Sequence, residues 1–186
     1  WAEKYLEPRF ESCSISRASA IGSGEACFVA RNEPMHDSVP YLYNNMTNET
    51  DILHEYFIPR ENIVAFVDGL RTIVQDNNIN MLNASVRVVH KERGLLSYAP
   101  EEAYSVVLFI NQETTPEGDQ KMKRDTQALI DLTHQHNGRF FLPYQLHYTG
   151  EQLLTSYPEL PTFLAKKKEL DPTELLSSTF YEYIKN

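Results

Sequence analysis

The residue that best suggests chemistry is Arg87, which lies in the middle of a predicted strand. The run from Ala84 to His90 (ASVRVVH) alternates, so that Ser85, Arg87 and Val89 share one face. A guanidinium group at such a position must reach solvent, a carboxylate or a ligand, because burying an unpaired charge is costly. Two interpretations stay open: Arg87 hydrogen-bonds a hydroxyl-rich ligand, or it is an exposed arginine that pairs with an acidic side chain.

A second group of candidates lies in the loop after the predicted strand at residues 139–142. The loop reads PYQLHY over residues 143–148, and segments that follow a strand end often carry functional side chains. Tyr144 and His147 can donate hydrogen bonds, and either side chain can move a proton. The alternative is a proline-ordered loop whose aromatic rings fill the edge of the domain.

Two neighbouring polar residues on another strand point in opposite directions. His54 and Glu55 lie in the predicted strand at residues 52–58, so only one of them can reach a given pocket. A lone polar residue in a strand is more often a hydrogen-bonded structural group than a ligand-binding one. The six histidines form no HExxH pattern, and His134 and His136, the one HxH pair, flank a predicted helix end, so we predict no metal site.

Composition narrows the range of partners. The formal net charge is −9, the opposite sign to a phosphate-binding surface, so nucleic acid is not an expected partner. The two cysteines, Cys13 and Cys27, are predicted to be free thiols. The sequence has no signal peptide and no stretch of roughly 18 apolar residues, so we expect no transmembrane segment and favour a cytoplasmic location.

Hydrophobic spacing predicts the elements that would position these residues. Strands are predicted at 52–58, 84–90, 104–110 and 139–142, helices at 60–76 and 117–136, and a further short strand at 95–98 as the hairpin partner of 84–90. The order strand, helix, strand, strand, helix, strand is that of a ferredoxin-like α+β fold, an antiparallel sheet with helices on one face. Helical segments follow near residues 150–156, 160–169 and 178–184.

Four segments, in order along the chain, resemble a known family. They are TDILHEYFIP at 50–59, NASVRVV at 83–89, GRFFLPY at 138–144 and KELDP at 168–172, the last followed by Leu175, Leu176 and Phe180. The stretch RNEPM at 31–35 also fits, so the resemblance spans about residues 30–184. These segments are similar to the C-terminal region of bacterial FAD-linked oxidases of the vanillyl-alcohol-oxidase type, near the aldonolactone and sugar-alcohol oxidases.

The resemblance implies a protein of two parts, in which a separate N-terminal domain holds most of the FAD. Residues 1–50 would then belong to the interdomain region. Residues 51–148 would form a ferredoxin-like domain that caps the flavin and binds substrate. Residues 149–186 would be a helical extension that packs toward the FAD domain, which is the expected partner together with a sugar-like substrate.

The resemblance also implies roles for particular side chains. The predicted catalytic residues are Arg87, Tyr144 and His147; Gln145 and Arg139 are predicted to contact the cofactor; and Ser85, Asn83 and Glu55 are predicted to bind substrate. In the sugar-alcohol oxidases the matching strand carries Glu-x-Arg, and a lysine lies just past the Pro-aromatic segment. Here Ser85 replaces that glutamate, and Tyr144 or His147 falls where the lysine would be.

Three functions follow as hypotheses. The first is the substrate-binding part of an FAD-dependent oxidoreductase that oxidises an alcohol carbon of a sugar, polyol or sugar lactone. The alternative is a non-catalytic module with the same fold that binds a small molecule or a protein, an interpretation that the lack of a glycine-rich phosphate-binding turn favours. The third is an interaction subunit of a split enzyme whose FAD domain is a separate chain.

Overall fold

The computed structural model describes residues 47–185. Its strands are β1 (Glu49–Pro59), β2 (Met81–Val89), β3 (Ala103–Glu113) and β4 (Arg139–Phe140), and its helices are α1 (Ile63–Asp76), α2 (Pro116–Gln135), α3 (Gly150–Ser156), α4 (Leu160–Leu170) and α5 (Thr179–Ile184). One 3-10 turn, Arg60–Asn62, joins β1 to α1. Residues 1–46 lie outside the described part of the chain, and with them the predictions for Cys13 and Cys27.

The four strands form one antiparallel sheet in the order β2-β3-β1-β4. β3 pairs with β1 along the full length of both strands, from Glu49 opposite Glu113 to Pro59 opposite Ala103. β4 contributes only two pairs, so most of the outer edge of β1 has no strand beside it within residues 47–185. The element order and the antiparallel sheet confirm the predicted α+β, ferredoxin-like fold class.

The two long helices cover the same face of the sheet. Tyr56 and Ile58 of β1 belong to one buried cluster with Phe66 of α1 and Leu129 of α2. Because strand side chains alternate, the odd-numbered residues of β1 lie on the opposite face. We call this opposite face the open face; β1 contributes Leu53, Glu55 and Phe57 to it.

Local signals in the sequence set the helix ends. Thr115 caps α2, where its hydroxyl accepts a hydrogen bond from the backbone N–H of Gly118 at 3.0 Å, and Pro116 occupies the first helical position. Asn78 and Asn137 follow α1 and α2 with φ values of 49° and 57°. Asparagine adopts this left-handed conformation more readily than most residues, which explains why both helices end there.

The predicted strand at residues 95–98 is wrong. These residues lie in the loop between β2 and β3, and the loop satisfies its own backbone groups. The N–H of Glu92 donates to the carbonyl of Ala99, and the N–H of Tyr98 donates to the carboxylate of Glu92, both at 2.9 Å. The ring of Tyr98 then packs on Phe57 with centroids 4.5 Å apart, so contact with the sheet replaces pairing within it.

The helical extension packs on the same core as the sheet. Leu153 of α3, Leu160 of α4 and Ile184 of α5 all belong to the buried cluster that contains β1 and β3 residues. α3 begins with a capping box, in which the side chains of Thr149 and Gln152 each accept a hydrogen bond from the other's backbone N–H at 3.1 Å. The predicted helices after residue 149 are therefore present, at bounds within a residue or so of those expected.

Candidate functional site

Arg87 lies on the open face, in β2. The register places it directly opposite Ser105 of β3, and Ser105 is in turn opposite Phe57 of β1. Residues directly opposite one another in antiparallel strands share a face. Ser85 and Asn83, at the neighbouring odd positions of β2, are exposed on the same face.

Glu55 is fixed on this face by a hydrogen bond from the adjacent strand. The hydroxyl of Ser105 donates to Oε1 of Glu55, which is half-buried. Ser105 itself is fully buried, so its hydroxyl has no water to bond and is committed to the carboxylate. The continuous pairing of β1 with β3 therefore gives the Glu55 carboxylate a defined position near Arg87.

Tyr144 reaches the same place from the loop after β4. Its ring packs edge-on against Phe141 with centroids 5.0 Å apart. Partial burial and, next, the Glu55 carboxylate raise the pKa of the Tyr144 phenol, while the guanidinium of Arg87 acts in the opposite direction. Tyr144 is therefore protonated at neutral pH and available as a hydrogen-bond donor beside Glu55 and Arg87.

Apolar surface borders the polar group at both ends. At one end lies a cluster of aromatic rings, in which Phe57 packs on Tyr98 and Phe141 packs on both, with centroid separations of 4.5 to 6.1 Å. At the other end Leu53, 39% exposed, stands opposite Phe109. The open face thus presents a guanidinium, a carboxylate and a phenol, with apolar residues at both ends.

A small cavity lies beside Glu55, where the end of β4 and the loop after it meet β1 and α2. Its volume is about 20 Å³, and its lining includes Glu55, Tyr144 and the exposed Gln145. A cavity of this size holds about one water-sized group.

His54 also lines this cavity but belongs to the helix side of the sheet. Nδ1 of His54 is hydrogen-bonded to the Tyr56 hydroxyl at 2.9 Å, and burial raises the pKa of that phenol. Burial, with a smaller effect from His147, lowers the pKa of His54 to about 4. The imidazole is therefore neutral at pH 7; its Nδ1 is hydrogen-bonded, whereas its buried Nε2 has no hydrogen-bond partner among the described residues.

The structure does not bring His147 to Arg87. Its Nδ1 lies 3.5 Å from the hydroxyl of Thr126, and its Nε2 lies 3.5 Å from the carboxylate of Asp119, both residues of α2. The loop after β4 runs around the edge of β1, so Tyr144 ends on the open face and His147 on the helix side. Partial burial lowers the pKa of His147, and its surroundings are those of a group packed between a loop and a helix.

Arg139 is likewise engaged away from the polar group. Its guanidinium donates to the carbonyl of Ser97 at 2.7 Å and to both carboxylate oxygens of Glu159 at 3.1 and 3.2 Å. It also lies over the ring of Tyr157 at 5.3 Å. Only 14% of the side chain is exposed, so Arg139 joins the 90–102 loop to the start of α4.

Sequence reasoning missed Ser105, which orients the carboxylate of the site. One signal was available. Ser105 is a small polar residue that directly precedes five apolar residues in the run YSVVLFI at 104–110. A small hydroxyl in a strand buried on both sides must find a partner, because an unsatisfied polar group there is costly. The partner itself depends on the register with β1, which the sequence does not state.

Comparison with known proteins adds no assignment. No protein-family model matches the chain, and no curated protein matches it. Within residues 47–185 no three histidine, cysteine, aspartate or glutamate side chains are grouped to hold a metal ion. The helices in that part of the chain are all too short or too polar to cross a membrane.

Proposed function

We propose that this chain supplies the substrate side of an FAD-dependent oxidoreductase that oxidises an alcohol carbon of a sugar, polyol or sugar lactone. The observation that supports this function is the convergence of Arg87, Glu55 and Tyr144 on one open sheet face. Three different elements contribute them: β2, β1 and the loop after β4. The similarity of the four sequence segments to FAD-linked oxidases gives the reaction class, and we favour a cytoplasmic protein.

The three side chains suit a ligand rich in hydroxyl groups. A guanidinium only donates hydrogen bonds, a carboxylate only accepts them, and a phenol does both. A hydroxyl group also does both, so a polyol can satisfy all three partners at once. A phosphate or carboxylate ligand would instead meet the charge of Glu55, which disfavours anions at this position.

These side chains also have distinct tasks in oxidation of an alcohol. The carbon loses a hydride and the hydroxyl group loses a proton, which leaves a carbonyl. The Tyr144 hydroxyl orients the substrate oxygen, and the Glu55 carboxylate accepts the proton, directly or through Tyr144. Arg87 stabilises the negative charge that develops on the substrate oxygen as the proton leaves.

The apolar end of the open face, at Leu53 and Phe109, offers a surface for a flat aromatic cofactor. Leu53 and its neighbour Phe109 give the open face an apolar end, and Arg87 lies two side-chain rows further along the sheet, opposite Ser105. When bound, the flavin supplies the acceptor for the hydride. Leu53 and Phe109 would support its ring, and most of the dinucleotide would be held by a separate domain.

The C-terminal segment offers a surface for that domain. Leu175 and Leu176 are 84% and 73% exposed. Their backbone N–H groups donate to the two carboxylate oxygens of Asp171, each at 2.9 Å, so the loop that carries them is held in one conformation. A rigid loop that displays two leucines is typical of a docking surface, which supports the prediction that residues 149–186 pack toward the FAD domain.

The second candidate function is a binding module without redox chemistry. Residues 47–185 contain no glycine-rich turn that would hold a pyrophosphate. The same open face would then bind a polyol without turnover. Titration of the purified chain with FAD separates the two candidates, because quenching of flavin fluorescence at micromolar chain concentration is expected only of the oxidoreductase part.

The main test is reduction of the flavin by substrate in the protein that contains both parts. With a panel of sugars, polyols and lactones under anaerobic conditions, we expect Arg87→Ala to slow flavin reduction by about 10²- to 10³-fold. Arg124→Ala is the matched control, since Arg124 is an exposed arginine of α2 on the other side of the sheet. Equal rates for wild type and Arg87→Ala would remove Arg87 from the mechanism and the proposed site with it.

A further inference from the structure

β2 is the outer strand of the sheet and is exposed on both of its faces. Eight of its nine residues are exposed, whereas most residues of the neighbouring β3 are buried. The buried cluster that α1 and α2 complete draws its sheet residues from β1, β3 and β4. Within residues 47–185, β2 pairs only with β3, so its other edge carries backbone donors and acceptors without a strand partner.

The side chains on this strand are unusually apolar for such a position. Val86 and Val88 are 55% and 59% exposed, and Leu82 and Met81 are 48% and 36% exposed. Edge strands that stay single are usually protected by prolines, several charges or strong bulges. β2 has no proline, Arg87 is its only charged residue, and its one irregularity lies at the Met81 end.

We propose that β2 pairs with β2 of a second copy of this chain, antiparallel about a two-fold axis through Ser85, so that two four-stranded sheets become one of eight strands. Ser85 is the middle residue of the strand, so this register pairs the entire length of both strands. It leaves the open face accessible, and the inference is therefore independent of the proposed function.

The alternation of side chains selects this register. Directly opposite residues of antiparallel strands share a face, and a shift by one residue would place apolar positions opposite polar ones. About Ser85, Val86 stands opposite Ala84 and Val88 opposite Leu82, all apolar. Arg87 stands opposite Asn83, so the polar positions also meet each other.

Two other registers also keep apolar positions opposite apolar ones, with the two-fold axis at Arg87 or at Asn83. Charge excludes the first and loss of contacts the second. An axis through Arg87 would set two guanidinium groups directly opposite each other, which is destabilising. About Ser85 the two Arg87 residues are four positions apart, roughly 13 Å along the strands, farther than the screening length of about 8 Å at physiological salt. An axis through Asn83 would move residues 86–89 beyond the end of the partner strand and lose their contacts.

The expected dimer is reversible. A single pair of nine-residue strands buries less surface than the roughly 1,200 Å² at the lower end of stable interfaces, so we expect a dissociation constant on the order of micromolar. Light scattering coupled to gel filtration of the full chain, over a series of concentrations, should show a mass that rises from 21.5 kDa toward twice that value.

Two variants test the surface. Val86→Lys with Val88→Lys places four like charges at the interface, and we expect dissociation to become at least tenfold easier. Val64→Lys is the matched control, because Val64 is 72% exposed on α1 and should leave the dimer unchanged. Circular dichroism of each variant verifies that the sheet is intact.

A crosslink tests the register even where the lysine variant fails to fold. In a background with Cys13 and Cys27 replaced by serine, Ser85→Cys should form a covalent dimer with a short thiol crosslinker, and Val64→Cys should not. A wild-type chain that stays at 21.5 kDa at millimolar concentration overturns the proposal. Equal crosslinking of Ser85→Cys and Val64→Cys would overturn it as well.

Discussion

At the scale of single residues, the phenol of Tyr144 reports on its two charged neighbours. Burial raises its pKa most, the Glu55 carboxylate raises it further, and Arg87 lowers it. We therefore expect Glu55→Gln to lower the pKa of Tyr144 and Arg87→Met to raise it. A titration followed by NMR of ring-labelled tyrosine, assigned with Tyr144→Phe, measures both shifts without cofactor or substrate, and Arg124→Met should change neither. Shifts of the same sign in the two variants would separate Tyr144 from this pair.

His54 makes the stability of the fold depend on pH. The pKa of this imidazole is lowered to about 4 in the folded chain from its ordinary value of 6.5, first by burial and then by His147. Between these two values the unfolded chain binds the proton more readily, so stability falls as the pH drops from 6.5 to 4. The expected loss is about 3 kcal/mol, measurable by urea unfolding at several pH values. His54→Gln should flatten this slope, whereas His90→Gln, at an exposed position, should not.

The sequence predicted part of the site because alternation along a strand is a local property. It places Ser85, Arg87 and Val89 on one face, and the structure has them there. It also separates His54 from Glu55. The loop after β4 follows no such rule, since its path around the edge of β1 depends on tertiary contacts of its aromatic rings, and for this reason the separation of Tyr144 from His147 was not predictable.

At the scale of elements, the sequence predicts the strands and helices well where their apolar spacing is long and regular. The helices at 63–76 and 116–135 and the strands β1 and β3 lie within a few residues of the predicted ranges. Residues 95–98 differ because a four-residue alternation is too short to distinguish a strand from a loop that packs its rings on the sheet. Pairing partners follow from register, and register is set by contacts far apart in the chain.

Gly138 lies where the end of α2 packs closely against β1. A Cβ atom added there would lie 2.7 Å from the carbonyl oxygen of Phe57 and 2.8 Å from a methyl group of Thr133. The backbone can move away from the added methyl group only at a cost in free energy. Gly138→Ala should therefore destabilise the fold by about 2 kcal/mol in urea or thermal unfolding. Gly150→Ala is the matched control, because a Cβ there meets nothing within 4 Å at the start of α3. A neutral result for Gly138→Ala would show that this junction is loosely packed.

At the scale of the whole molecule, residues 47–185 present a site with one wall. The polar group of the open face and the 20 Å³ cavity beside it cannot enclose a sugar, so function on the proposed lines requires a second body to cover them. The loop that follows α4 already has a fixed conformation, so binding a second body through it would cost little conformational entropy. Its conformation is fixed by Asp171, whose pKa is lowered to about 2, first by the Lys167 ammonium and then by the backbone N–H groups of Leu176 and Leu175.

This arrangement predicts that Leu175 and Leu176 act in docking and contribute little to folding. Leu175→Glu with Leu176→Glu should change the stability of the chain by no more than about 0.5 kcal/mol, as expected of exposed positions. The same change should weaken association with the separately produced FAD domain by tenfold or more, measured by calorimetry, because two carboxylates would have to be desolvated in an apolar contact. Leu154→Glu provides the control, since Leu154 is an exposed leucine of α3 outside this loop. If Leu154→Glu weakens the association as much as the double variant does, the contact is not made by this loop and residues 149–186 do not dock through their exposed leucines.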